Sequence, residues 1–213
     1  MNPNNLQQGS QEWLDFRLGK VSASRVSDVM AKTKSGPAAT RKNYLMELLC
    51  QRLTGKREES FTSAAMQRGT EKEPIARSMY EVDKGVMVDE VGCFVHPDMQ
   101  NFIASPDGMV GSDGLLEIKN PNTAQHVDFL RTGKIDSGYE LQMTAQMICT
   151  GRHWVDYVSF DDRLPLDLQY RCVRFHYDEL RAAEVMKEVD AFLKELDALE
   201  AEMRGLMPME KAA

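Results

Sequence analysis

The segment Ser105-Pro106-Asp107-Gly108, with Glu117-Ile118-Lys119 beginning ten residues after the aspartate, constrains this chain more than any other. Pro106 has a fixed φ and Gly108 tolerates almost any, so Pro-Asp-Gly reads as a sharp turn. It ends one apolar run, Phe102-Ile103-Ala104, and a second follows as Leu115-Leu116-Glu117-Ile118-Lys119. Side chains two apart on a strand share a face, so Glu117 and Lys119 stand side by side. A hairpin of the two runs then brings Asp107 next to them. The large apolar neighbours predict a half-buried setting for the charges. Asn120-Pro121-Asn122-Thr123 breaks the strand and caps a following helix.

Two carboxylates and a lysine at a strand end form a hard-oxygen site for Mg²⁺ with a cation beside it. That is equipment for cleaving a phosphodiester. The same residues also suit a plain surface hairpin, because Asp-Gly is a common turn and Glu-x-Lys a common same-face pair.

Composition excludes several classes. The 213 residues fit one domain, 1–213, with a C-terminal helix from about 178 to 206. No apolar run approaches the length of a membrane span, and Met1-Asn2-Pro3-Asn4-Asn5 lacks the basic and apolar parts of a secretion signal. A cytoplasmic location is expected. Cys50, Cys93, Cys149 and Cys172 are scattered with no Cys-x-x-Cys pair, which argues against zinc or iron–sulfur sites and for isolated buried thiols.

The net charge of −7 is unequally spread. From Arg17 to Arg57 ten basic residues face only Asp28 and Glu47, a local +8. From Asp178 to Arg204 nine acidic residues outnumber four basic ones, a local −5. Phosphate contacts follow local charge, so the basic stretch suits a nucleic-acid backbone. Charged helix faces of no special role are the alternative.

Periodicity predicts short helices from Ser10 to Leu18 and from Arg25 to Lys32, the second capped by Ser22 or Ser24, then a loop through Ser35-Gly36-Pro37 to Thr40. Helices are expected at Thr40–Thr54, ended by Gly55, and at Thr62–Asp83, where Gly69 marks a possible close approach. Strands follow near 91–96, 101–105 and 114–119, helices at 123–131 and 138–150, and strands at 153–160 and 168–176. Asp178 caps a last helix. Its Val189, Phe192, Leu196, Leu199, Met203 and Leu206 form a heptad seam, to pack on its own domain or to form an interface. The order predicts a mixed α/β fold, a central mixed sheet flanked by helices.

Asp, about ten residues, Glu-x-Lys resembles the pattern of the PD-(D/E)XK nuclease superfamily. The wider chain resembles its lambda-exonuclease or YqaJ branch, the phage alkaline exonucleases. The resemblance is carried by Trp13 to Ser24 (WLDFRLGKVSAS), Arg68 to Glu73 (RGTEKE), Ser105 to Gly108, Leu116 to Pro121 and Tyr139 to Gln142 (YELQ), in the family's order. It spans roughly positions 11 to 175.

The resemblance implies a restriction-endonuclease-like core. It further implies a Mg²⁺-dependent 5′→3′ exonuclease that degrades one strand of linear double-stranded DNA to mononucleotides. The 3′ overhangs left would serve phage-type recombination, through a single-strand annealing protein and a ring-shaped homotrimer in a bacterial host. Two ions per site are implied, with Mn²⁺ able to substitute. Asp107 and Glu117 would bind them, joined by the Ile118 carbonyl. Lys119 would orient or help deprotonate the attacking water, suited by a pKa that falls readily beside cations. Glu73 is implied as an outer carboxylate acting on a water held by a metal. Gln142, with Gln146 one turn on, would support the site or be an ordinary core amide. Arg17, Ser24 and Ser105 match a pocket for the terminal 5′ phosphate. Gln125 stands where relatives carry another arginine, and His126 is the candidate substitute. Trp13 would stack at the DNA end or sit in the core. Two rivals are a structure- or site-specific endonuclease on the same fold and a non-catalytic DNA-end-binding module.

Overall fold

The Glu117 run becomes the middle strand of a five-stranded sheet. The computed structural model describes residues 2–34, 36–57 and 63–206. In these residues the strands are β1 (Val21–Ser22), β2 (Lys32–Thr33), β3 (Gly36–Pro37), β4 (Val88–Asp89), β5 (Phe94–Val95), β6 (Phe102–Ala104), β7 (Gly108–Val110), β8 (Gly114–Lys119), β9 (Trp154–Phe160) and β10 (Tyr170–His176). The helices are α1 (Gln11–Phe16), α2 (Val26–Val29), α3 (Ala39–Thr54), α4 (Ala64–Lys84), α5 (Thr123–Thr132), α6 (Ser137–Thr150) and α7 (Glu179–Gly205).

The main sheet runs β10-β9-β8-β7-β4, and a smaller one β1-β6-β5. Strands β8 and β9 are parallel while the other pairs of the main sheet are antiparallel. A parallel neighbour requires a crossover, and α5 and α6 supply it. Alternation then divides β8. Leu116 and Ile118 pack with Ala76 and Tyr80 of α4 on one face. Leu115 packs with Phe129 of α5 and with Met143 and Met147 of α6 on the other. A third core joins α2, α3, α6 and α7 over β1 and β6. The mixed α/β architecture with flanking helices is as expected.

Polar residues placed at helix starts act as caps. Ser10, Ser63, Asn122, Asp136 and Asp178 each accept a first-turn N–H, while Gly55, Gly85, Gly133 and Gly151 end their helices in the left-handed conformation. Gly108 is required for a different reason: a Cβ there would collide with the Val88 side chain of the neighbouring strand.

Several expectations are corrected. The hairpin that brings Asp107 to Glu117 is β7–β8. The 102–104 run instead pairs in the smaller sheet, and β7 was too short and glycine-led to read as a strand. The expected 32–40 loop holds the small β2–β3 ladder. The 91–96 strand shrinks to two residues, and β4 forms ahead of it. Ser22 and Ser24 cap no helix; their hydroxyls bond each other at 3.2 Å. Thr62 and Ser35 lie outside the described residues. Gly69 is not a close approach, since a Cβ there meets nothing; its carbonyl instead accepts the Asn120 amide at 3.2 Å. Cys50 is exposed and Cys172 half-buried, so only Cys93 and Cys149 are buried thiols.

The charge asymmetry partly cancels within the molecule. Helices α3 and α7 pack together, and Lys32, Arg41 and Arg52 bridge to Glu188, Glu195 and Asp197 at 2.6–2.8 Å. Part of the basic stretch is therefore structural. The heptad seam is core at Val189, Phe192 and Leu196, with Phe192 stacked on Tyr44 at 5.6 Å, and only Met203 and Leu206 are exposed. Among the described residues no helix is long and apolar enough to cross a membrane.

Candidate active site

Strand β8 outruns β7, and the cluster forms in the gap. Asp107 donates its N–H to the Leu116 carbonyl at 3.1 Å, the last rung, and its Oδ2 accepts the Ile118 N–H at 2.7 Å. N–H and C=O of one strand residue point to the same edge. The Ile118 carbonyl therefore lies on the edge that β7 has vacated, beside the Asp107 carboxylate.

Glu117 is fully buried, not half-buried, and bridges to the Lys119 ammonium. Gln142 donates to its Oε1 at 2.6 Å and Gln146 to its Oε2 at 2.5 Å. Both amides project from one face of α6, one turn apart. Lys119 also lies over the Tyr139 ring at 5.0 Å. On the α4 side, Glu73 accepts from Arg77 at 2.6 Å, and Arg77 also bridges to Glu90 at 2.7 Å.

The electrostatics are unbalanced. Burial, then the Glu117 and Glu73 charges, push Asp107 well above the usual carboxylate range, against the pull of Lys119. Burial and the charges of Glu117 and Glu90 likewise raise Glu73 despite Arg77. Burial opposes the charged form of Lys119, but Glu117 and Asp107 more than offset it and raise its pKa. Ahead of any metal, Lys119 is therefore an ammonium; the lowered pKa expected of it beside cations concerns the metal-loaded site.

Among the described residues no three His, Cys, Asp or Glu side chains converge closely enough to hold a metal ion. The donor set still fits a divalent cation. The Glu117 charge raises the proton affinity of Asp107 and of Glu73, and Glu73 that of Asp107, which added positive charge would relieve. Their oxygens and the Ile118 carbonyl are the hard donors that Mg²⁺ takes.

A cavity of about 360 Å³ is lined by Trp13, Arg17, Lys20, Ser22, Ser24 and Arg57 among others. Arg17 lies over the Trp13 ring at 4.1 Å, and both donate to Ser105 Oγ at 3.2 Å. Neither Arg17 nor Lys20 has a carboxylate partner among the described residues. Burial draws both below their ordinary pKa values. The one carboxylate in the lining, Glu47, is paired with Arg25 at 3.1 Å, which leaves half-buried Arg17 and Lys20 beside hydroxyls, a setting that suits a phosphate. Trp13 is half-buried and spends one ring face and its N–H on this pocket, so it is neither plain core nor a free stacking platform.

His126 belongs elsewhere. It is fully buried, its Nδ1 paired with Ser159 Oγ at 2.7 Å and its Nε2 with the Leu168 carbonyl at 2.9 Å. A carbonyl only accepts, so Nε2 carries the proton and the ring is a satisfied structural group. Gln125 is exposed on the first turn of α5 and does not line the cavity. Arg77 and Lys20 were not singled out from sequence. The four-residue Glu73–Arg77 spacing, a helical ion-pair signal, was the available clue to the first.

A model of the YqaJ-like viral recombinase domain matches residues 12–153. The chain belongs to this family. No curated protein sequence matches it. Among solved structures, an alkaline exonuclease from Laribacter hongkongensis (LHK-Exo) is 53% identical, covering 92% of this chain and 96% of that one with a TM-score of 0.86. The same enzyme in complex with dAMP gives a TM-score of 0.87 at the same identity and coverage. A phage-related exonuclease from Haemophilus somnus shares the fold at 18% identity and a TM-score of 0.70, over 86% of this chain and 96% of that one. The YqaJ-family fold is therefore that of the alkaline exonucleases.

Proposed function

We propose that this chain is a single-domain, Mg²⁺-dependent 5′→3′ exonuclease that releases mononucleotides from one strand of linear double-stranded DNA. Its family and its likeness to an alkaline exonuclease make it a deoxyribonuclease. The observation that carries the finer reading is a shared strand link. Ser105 accepts from Trp13 and Arg17 of the cation-lined cavity, and Asp107 belongs to the carboxylate cluster. Two residues of chain reach at most about 7 Å, the scale of one nucleotide. A terminal 5′ phosphate held in the cavity leaves the next phosphodiester at the carboxylates. The dAMP complex of the related enzyme supports a nucleoside monophosphate as product.

Bound divalent ions would supply a nucleophile at neutral pH and offset charge on the attacking and leaving oxygens. Asp107, Glu117 and the Ile118 carbonyl would hold them, with Glu73 as the outer carboxylate. Lys119, charged and aimed across the cluster, orients the attacking water and offsets charge developing on phosphorus. Gln142 steadies Glu117. Arg17, Ser24 and Ser105 hold the terminal phosphate, with Trp13 fixing Arg17. The 3′ overhang serves strand annealing with a phage-type partner in the bacterial cytoplasm. A ring trimer, implied by the resemblance, would retain DNA where a net charge of −7 would not.

The test is digestion of linear and covalently closed duplex DNA, 5′-phosphorylated or 5′-hydroxyl, with Mg²⁺ or with chelator. Mononucleotides should come only from linear DNA, only with metal, and faster from phosphorylated ends. Cutting of closed circles would favour an endonuclease. End binding without nucleotide release would leave a binding module. Light scattering at micromolar concentration tests the trimer.

A further inference from the structure

The two oxygens of buried Glu117 are almost fully occupied. Oε1 accepts from Gln142 at 2.6 Å and from the Lys119 ammonium, and Oε2 accepts from Gln146 at 2.5 Å. A carboxylate offers about four lone-pair positions. One remains, on Oε2. Because the two amides grip different oxygens, they fix the carboxylate plane as well as its position.

Gln146 is fully buried, and its Oε1 has no partner. Turning the amide over would face that oxygen with Glu117 Oε2, two acceptors in contact. The orphaned carbonyl is the consequence of aiming the N–H at Glu117, and it is unfavourable in itself. A methionine, as at the neighbouring Met143 and Met147, would leave no such orphan. Packing alone therefore does not account for Gln146.

We propose that Gln146 is a positioning residue that selects the metal, by holding Glu117 so that a single Oε2 position faces a divalent ion. The proposal rests on the metal-dependent reading above. Mg²⁺ is small, keeps several waters and takes few protein oxygens in near-ideal octahedral geometry, whereas Ca²⁺ accepts both oxygens of one carboxylate. With both oxygens gripped, Glu117 cannot turn about Cγ–Cδ to offer the pair. Gln146 thus discriminates through the number of oxygens Glu117 presents.

The experiment measures binding of Mg²⁺ and of Ca²⁺ separately, by calorimetry without DNA, to the full chain and to Gln146→Leu. Mg²⁺ affinity should fall about 10- to 100-fold, the scale for losing a group behind a metal ligand. Ca²⁺ affinity should fall less, so the Ca²⁺-to-Mg²⁺ affinity ratio rises on the order of 10-fold. The KM for DNA should stay at the parent value. Gln146→Met is the second variant, with thermal unfolding as the check on folding. Thr144→Ala reports plain damage to α6, since its hydroxyl only returns to the Glu140 carbonyl at 2.8 Å; it should bind both ions as the parent does. A folded Gln146 variant with parental affinities, or with both ions weakened equally, overturns the proposal. So does the same ratio shift in Thr144→Ala, or failure of both Gln146 variants to fold, which would assign the residue to stability. A parent that binds Mg²⁺ but releases no nucleotide would instead sink the nuclease reading and leave this comparison intact.

Discussion

Glu117 and Asp156 are buried carboxylates on adjacent strands, one residue apart in register and on opposite faces of the sheet. Asp156 accepts from two Arg174 nitrogens, Nε and Nη2, at 2.8 and 2.9 Å and from the Tyr80 hydroxyl at 2.8 Å, with Arg174 stacked on Trp154 at 3.6 Å. It has a cation of its own. Hydrogen bonding to Asp156 raises the Arg174 pKa against the pull of burial. Glu117 shares its single lysine with Asp107, while Glu73 adds a third negative charge. Asp156 is a strut between strands and helix. Glu117 lies where carboxylates outnumber cations, an arrangement that costs stability and makes sense only if positive charge arrives from outside.

The largest expected effects separate the two. Asp107→Asn or Lys119→Ala should lower nucleotide release on the order of 10²- to 10³-fold or more, as for loss of a group stabilising transition-state charge. Folding and DNA binding should survive, and excess Mn²⁺ should partly rescue Asp107→Asn. Arg174→Ala should do the reverse. Arg174 is itself exposed, so solvent screens part of the loss, but the Asp156 carboxylate beneath it is left buried without its cation; a cost of about 1–3 kcal/mol is expected, read by denaturant unfolding, while turnover per folded molecule stays near the parent value. A folded, stable Arg174→Ala protein without activity would erase the distinction drawn here. So would Lys119→Ala with activity within about ten-fold of the parent.

A smaller effect is expected at the cavity. Arg17→Ala should lose the preference for 5′-phosphorylated ends, by roughly 1.5–3 kcal/mol for a hydrogen bond to a charged group. That is about 10- to 150-fold on phosphorylated DNA, with hydroxyl-ended DNA much less affected. Equal losses on both substrates would make Arg17 another strut, like Arg174.

This difference also explains what could be read in advance. Glu117, Lys119 and Asp107 were legible because strand alternation and one turn fix their neighbourhood within a dozen residues of chain. Glu117's amide partners were half legible, as two polar residues one turn apart on an apolar helix. Asp156, Arg174 and Tyr80 were invisible, since their meeting depends on how β10 and α4 dock on β9, which no local spacing records. His126 misled for the same reason. Its place beside Gln125 suggested a pocket role, yet helix periodicity turned it into the sheet toward Ser159. The charge runs were read separately, while packing of α3 on α7 spent several of them on each other.

The smallest effect is a pH signature of the imbalance, and it needs no substrate. Burial and the neighbouring carboxylates place Asp107 well above its unfolded pKa. Below the unfolded value, about pH 4, the group is neutral in both states and costs nothing. As pH rises past it, the unfolded chain releases its proton first, so the folded state loses stability until the raised pKa is passed, and the loss then persists. Asp107→Asn keeps an oxygen to accept the Ile118 N–H but carries no charge. In chelator, the variant should therefore melt above the parent at about pH 8 and converge with it near pH 4. Added Mg²⁺ should raise the melting temperature of the parent by binding the folded state, and that of the variant much less. Asp156→Asn should instead melt below the parent, because it weakens the charge-assisted bonds that Asp156 receives from Arg174. Superimposed parent and Asp107→Asn melts at alkaline pH would mean that Lys119 already balances the cluster, and the contrast between the two carboxylates would shrink to one of hydrogen-bond partners.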